Sequence, residues 1–250
     1  IAARAIRKIS GTESGELPAP ILFSDLTSDT DDRLRGTVLQ ASWPGSLSFR
    51  QLLPTLTAPK RSNLVGPYQL FLSRFKAPKM TVERALDTIE WLHLRLDVDD
   101  GGEDYLENIA TRLFWAAASQ VAAPQVADAM AAFIVAADRN LARFTIERGD
   151  RTSHWPSAPL ARATLVEKIL QRSQDPLRNV VLIFQALPDL AVPSDLGEYL
   201  EKVTAARDDT LQLALFRIVV ELGLQLPINT LEEVWNTASS IPVLIGNCRP

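Results

Sequence analysis

Six cations in one acid-free stretch are the residues best placed to do chemistry: Arg50, Lys60, Arg61, Arg74, Lys76 and Lys79. With Arg33 and Arg35 they make eight basic residues between positions 33 and 82, and no Asp or Glu falls among them. Cations without local counter-ions suit the holding of an anion, either an acidic protein surface or a phosphate. Because they are scattered and form no Lys/Arg-rich run, contact with an acidic neighbour is the first reading and nucleic-acid binding the second. The remainder of the chain has the opposite sign. From residue 81 onward fifteen Lys and Arg face twenty-four Asp and Glu, a net of −9, against −4 for the whole chain.

Residues for catalysis or metal binding do not assemble in the same way. The two histidines, His93 and His154, and the one cysteine, Cys248, are far apart in sequence, so no local spacing makes a metal-ligand cluster or a Cys/His pair. The acidic turn from Asp97 to Gly102 places a glycine at the sixth position of a calcium loop. Its fifth position, however, is Gly101 and its twelfth is Asn108, where a calcium loop needs a ligating side chain and a bidentate Glu. A helix-terminating acidic turn is the simpler account. No phosphate-cradling glycine loop, no G-x-S-x-G elbow, no H-E-x-x-H and no C-x-x-C occurs. The tripeptide Arg148-Gly149-Asp150 and the His154-Trp155 pair are single matches without supporting context. The expectation is a chain without a catalytic site, cofactor or metal.

The cations lie in a stretch with unusual backbone demands, from Asp31 to Lys76. Leu34, Val38 and Leu39 recur at helical spacing behind Asp29, Asp31 and Asp32, which suit the positive end of a helix. Trp43 precedes Pro44, so it should leave the α region and end that helix. Ser48 and Gln51 are spaced as a capping box. Gly66 and Pro67 reopen a helix whose Tyr68, Leu70, Phe71, Leu72 and Phe75 are too apolar to be left in water. Trp43, Pro44, Gly66, Pro67 and Tyr68 are thus expected to form a structural corner between helices, with both aromatic side chains packed.

This stretch resembles the helical-repeat region of bacterial NACHT-containing, STAND-type NTPases. The resemblance is carried by Asp32, Leu34, Arg35, Gly36, Leu39, Ala41, Trp43-Pro44, Leu47, Leu52-Leu53, Leu56, Pro59-Lys60, Asn63, Gly66, Tyr68 and Phe71-Leu72. In such proteins HEAT-like repeats follow a nucleotide-binding module that does the chemistry. The resemblance therefore implies a bacterial scaffold or sensor region acting in antiviral defence, and it brings no catalytic residue with it. It covers about a fifth of the chain.

Elsewhere the apolar residues recur at three- and four-residue steps and helix starts are marked by proline or acid. Ile1 to Ile9 reads as a helix and Gly11 to Pro20 as a polar loop. Thr81 opens a helix through Leu96, Glu103 to Ala122 forms another, and Gln125 to Phe144 a third, entered at Pro124. Further helices start near 159, 176 (capped by Asp175), 194 (capped by Asp195), 208 and 229, the last with a Thr230/Glu233 capping box. No segment alternates as a strand. The expected fold is all-α, an α-solenoid of antiparallel helix pairs of the HEAT or armadillo kind, with a globular helical bundle as the alternative.

At 250 residues, 46% of them hydrophobic, the chain is long enough for a continuous core or repeat spine. One helical-repeat domain over 1–250 is expected, with a subdivision near 145–158, and the whole reads as a piece of a longer protein. No signal-peptide pattern or membrane-length apolar run is visible, so the expected location is the cytoplasm. Three functions remain open: a non-catalytic scaffold touching a protein partner or other domains of its own chain, a nucleic-acid-binding helical repeat domain, and an unrelated helical enzyme or effector.

Overall fold

The structure, a computed structural model, describes residues 29–60, 66–96, 104–145 and 155–226, with isolated helical positions at 232 and 236. All regular structure among these residues is helical, and none of them lies in a strand. The expectations placed on Ile1–Ile9, the Gly11–Pro20 loop, Arg61, Asn63, the Asp97–Gly102 turn, Arg148–Asp150, His154, the Thr230/Glu233 helix and Cys248 fall outside the described residues. No helix among the described residues is long and apolar enough to cross a membrane.

The chain divides into two compact units, one made of residues 1–79 and 90–113, the other of 80–89 and 114–250. In the first unit, α1 (Arg33–Ser42) starts where the Asp29 carboxylate accepts the backbone N–H groups of Leu34 and Arg35, at 3.1 and 2.9 Å. It stops at Trp43, whose backbone is extended, as the following proline demands; the Trp43-Pro44 peptide bond is cis. The short α2 (Phe49–Leu52) carries the expected capping box of Ser48 and Gln51 and runs on as a 3-10 turn, Leu53–Thr55. Proline at its first position opens α3 (Pro67–Arg74), and the Gln69 side chain reaches back to the Gly66 N–H at 3.1 Å.

Helix α3 lies against α1. Val38, Leu39, Leu52, Leu56, Tyr68, Leu72 and Phe75 are buried between these elements. Each fully buried aliphatic side chain contributes about 1.5–3 kcal/mol relative to exposure. The closest approach is at Gly36. A Cβ built there would lie 2.6 Å from the Tyr68 Cα and nearer still to the Tyr68 nitrogen and the Pro67 carbonyl carbon. The glycine is present because two backbones meet at that point.

Helix α4 (Val82–His93) begins behind Thr81, whose hydroxyl accepts the Arg84 N–H at 3.3 Å. It ends three residues sooner than the apolar spacing through Leu96 suggests. The chain passes from one unit to the other after Lys79, again within α4, and a third time within α5 (Asp104–Ala118), whose Leu106, Ile109, Leu113, Phe114 and Ala117 are all buried as expected.

In the second unit α6 (Pro124–Ala137) does not extend to Phe144. Asp138 takes a positive φ of 41°, the chain makes a 3-10 turn over Asp138–Leu141, and α7 (Ala142–Thr145) resumes. Apolar periodicity continues through the break because Leu141 and Phe144 still face the core, so the sequence pattern did not reveal it. The Asp138 carboxylate accepts both of its bonds from Arg178, at 2.7 and 2.8 Å, which fixes the turn from outside.

Four helices complete the unit: α8 (Pro159–Arg172), α9 (Pro176–Ala186), α10 (Leu196–Ala205) and α11 (Asp209–Gly223). Helix α8 packs on α6, α9, α10 and α11, and α11 also packs on α9 and α10. The Asp175 and Asp208 carboxylates cap α9 and α11, accepting the Arg178 and Leu211 N–H groups at 3.1 and 2.7 Å. Phe114, Trp115, Phe133, Phe144 and Trp155 form an aromatic cluster with mostly perpendicular ring contacts, centroids 5.1 to 6.1 Å apart. Trp155 is buried in it and its indole N–H donates to the Pro188 carbonyl at 3.0 Å, so packing explains that residue.

Candidate functional site

The corner of the first unit is built from groups the sequence offered as capping acids and as free cations. Asp32, almost wholly buried and in the left-handed region, accepts the Lys60 N–H at 2.6 Å and lies 3.7 Å from the Arg35 guanidinium. Arg35 in turn donates to the Thr55 carbonyl and sits 4.3 Å above the Tyr68 ring. The Tyr68 hydroxyl proton is shared between the Thr57 carbonyl at 2.7 Å and the Thr55 carbonyl at 3.1 Å, and the oxygen accepts the Thr57 N–H at 3.0 Å. Burial pushes its phenol above the ordinary value of 10.0, with the Arg35 charge pulling the other way. Tyr68 is fully buried, and it is the keystone of the corner.

The candidate cations part company at this point. Lys60 is drawn into the corner, its ammonium donating to the Asp29 carbonyl oxygen at 2.9 Å. Arg33 pairs with Asp31 at 3.0 Å. The absence of acids between 33 and 82 therefore misstates the local charge, because Asp31 and Asp32 fold back on the residues that follow them. Arg50, in α2, and Lys79 are exposed and are not among the residues lining the feature described next. Arg74 and Lys76 are exposed, and neither meets a carboxylate among the described residues.

These last two cations rim a groove of about 490 Å³ at the C-terminal ends of α1 and α3. Trp43, Pro44, Leu70, Phe71, Phe75 and Pro78 form its apolar walls. Trp43 is half-buried, not enclosed like Tyr68, and contacts the rings of Phe49 and Phe75 at 6.1 and 6.4 Å between centroids. The Gln40 amide on the rim is committed to the Pro67 carbonyl at 2.6 Å. The groove thus joins two members of the expected basic surface with two members of the expected corner, Trp43 and Pro44. Phe71 and Phe75, themselves buried, form the floor of the groove and were visible in the sequence only as an apolar helix face.

The second unit holds a different polar cluster. Asp195 precedes α10 as expected, yet its side chain caps nothing. It is fully buried and takes two hydrogen bonds from the Arg162 guanidinium of α8, at 2.8 and 2.5 Å. The cap spacing gave no hint of this, because the partner lies thirty-three residues earlier. Arg162 also donates to the Pro156 carbonyl at 2.5 Å. Its hydrogen bonds to the Asp195 carboxylate hold the guanidinium protonated to higher pH than usual. Nearby, the buried Tyr199 hydroxyl has no hydrogen-bond partner among the described residues, and burial raises its pKa far above the ordinary range. Asp195 and Tyr199 are fully buried, and the geometry of the cluster is that of a clamp between helices. No group of three His, Cys, Asp or Glu among the described residues is placed to hold a metal.

No known protein family, curated protein or solved structure matches the chain, so its site is read from geometry and charge.

Proposed function

We propose that this chain is a non-catalytic helical-repeat scaffold or sensor region that works by contact, within a larger NACHT-containing, STAND-type NTPase of bacterial antiviral defence. The observation that carries the contact reading is the groove of Trp43, Phe71 and Phe75 rimmed by Arg74 and Lys76. It offers apolar area and two cations, and it contains no nucleophile, general base or oxyanion donor set. The assignment to that class of NTPase rests on the resemblance of residues 32–72. The serial packing in the second unit supports a repeat stack: α8 and α9 form one pair, α10 and α11 the next, with α8 on α10 and α9 on α11.

The nucleic-acid reading draws less support. It needs a track of phosphate contacts, and Arg33, Arg35 and Lys60 are already engaged with Asp31, Asp32 and the Asp29 carbonyl. Two experiments test the proposal. The reading frame upstream of the Ile1 codon is expected to encode a G-x-x-x-x-G-K-[ST] motif, and a complete gene without one removes the NTPase assignment. The isolated chain incubated with ATP or GTP is expected to release no phosphate above a buffer control, and a measurable turnover removes the scaffold reading.

A further inference from the structure

We infer that the groove between the ends of α1 and α3 takes a short acidic peptide segment, with one large apolar side chain seated against Trp43, Phe71 and Phe75 and flanking carboxylates on Arg74 and Lys76. The inference rests on the contact reading above and names the partner chemistry for it. Three observations select this ligand. The volume of about 490 Å³ matches a few side chains. The walls are apolar, and the two charges on the rim are both positive, with neither paired to a carboxylate among the described residues. Arg74 suits the negative end of α3, but Lys76 lies beyond the helix and has no such role.

A peptide fits better than a nucleic-acid strand. Phe71 and Phe75 are themselves buried, which leaves little open ring face for successive bases. Two rim cations match one or two carboxylates, whereas a strand presents a phosphate at every nucleotide.

The test is selection from a random sixteen-residue phage-displayed peptide library on the immobilised chain and, in parallel, on the Arg74→Glu/Lys76→Glu double variant. Both substituted positions are exposed, and an unchanged far-ultraviolet circular dichroism melt confirms that the variant is folded. The expected result is enrichment, on the parent chain alone, of sequences with a large apolar residue flanked by Asp or Glu. The most enriched peptide, synthesised and titrated, should bind the double variant at least tenfold more weakly. Trp43→Ala, if folded, should weaken the same peptide. Failure to enrich any sequence over the variant overturns the inference, as does enrichment of sequences without acids. So does a twenty-nucleotide oligothymidylate that binds more tightly than the best peptide and is lost in the same variant. An upstream nucleotide-binding motif together with an empty selection leaves the scaffold reading standing and removes this one.

Discussion

Gly36→Ala adds one methyl group at the place where α1 meets the start of α3. On an open helix the exchange is favourable by about 1 kcal/mol, because alanine restricts the unfolded backbone and suits the helix. Here the new Cβ would stand 2.6 Å from the Tyr68 Cα, and ordinary contact begins at 3.4 Å. The obstacle is backbone, which cannot rotate aside, so the helices must part by roughly 1 Å, and overpacking of this kind costs ~1–3 kcal/mol. The upper end applies, since parting them also strains the Gln40–Pro67 bond and the Arg35–Tyr68 contact. A net loss of roughly 2 kcal/mol is expected, a fall in melting temperature of about 4–8 °C in a chain of this size. The assay is a thermal melt followed at 222 nm, with Gly197→Ala as its control. A Cβ at Gly197 meets nothing within 4 Å in the first turn of α10, so that exchange should be neutral or stabilising by up to ~1 kcal/mol. A Gly36→Ala protein that melts at or above the parent temperature refutes the close-approach argument.

Four other outcomes follow from the same coordinates. Arg162→Met strands the buried Asp195 carboxylate and should cost ~3–5 kcal/mol in urea unfolding, while Arg162→Met/Asp195→Leu should recover most of the loss. Tyr199→Phe removes a hydroxyl that has no partner and should be neutral or stabilising by ~1 kcal/mol, whereas Tyr68→Phe abandons the hydrogen bonds to Thr55 and Thr57 and should cost ~1–3 kcal/mol by the same measurement. Both phenols hold their protons above the ordinary 10.0 when folded, so the unfolded chain loses them first. Stability should be full below pH 10 and fall as the pH rises toward the folded values, and denaturation midpoints in Tyr199→Phe should fall less steeply above pH 10. Trp43→Ala should cost only ~2 kcal/mol, less than for an enclosed indole, because the ring is half-buried; a loss as large as that of Tyr68→Ala would mean the groove wall is core.

Helix starts were the most legible part of the fold. Pro67, Pro124, Pro159 and Pro176 each occupy the first turn of a helix, because proline's fixed φ and missing N–H restrict it to that place. Ser48, Thr81, Asp175 and Asp208 cap through local geometry, and a sequence can encode that within three residues. The helix break at Asp138 and the side-chain partner of Asp195 were missed for the converse reason. Each carboxylate is bound by an arginine more than thirty positions away, and that pairing exists only after the helices have packed. The candidate site shows the same division. Local spacing located the corner at Trp43 and Tyr68, but it could not distinguish Lys60, tied down by Asp29, from Arg74 and Lys76, left at a rim.

The position of Gly36 gives the groove an adjustable width that its lining does not determine. Trp43 is seven residues further along α1, about 10 Å away at helical rise, and Arg74 and Phe75 lie at the far end of α3. The two helices therefore meet backbone to backbone at Gly36 and side chain to side chain from there toward the groove. A serine or alanine at position 36, tolerated by compensating exchanges near Tyr68, would part the helices without altering a single residue that lines the groove. Descendants of this chain could acquire a wider groove by that route, and a comparison confined to the groove wall would miss the residue responsible.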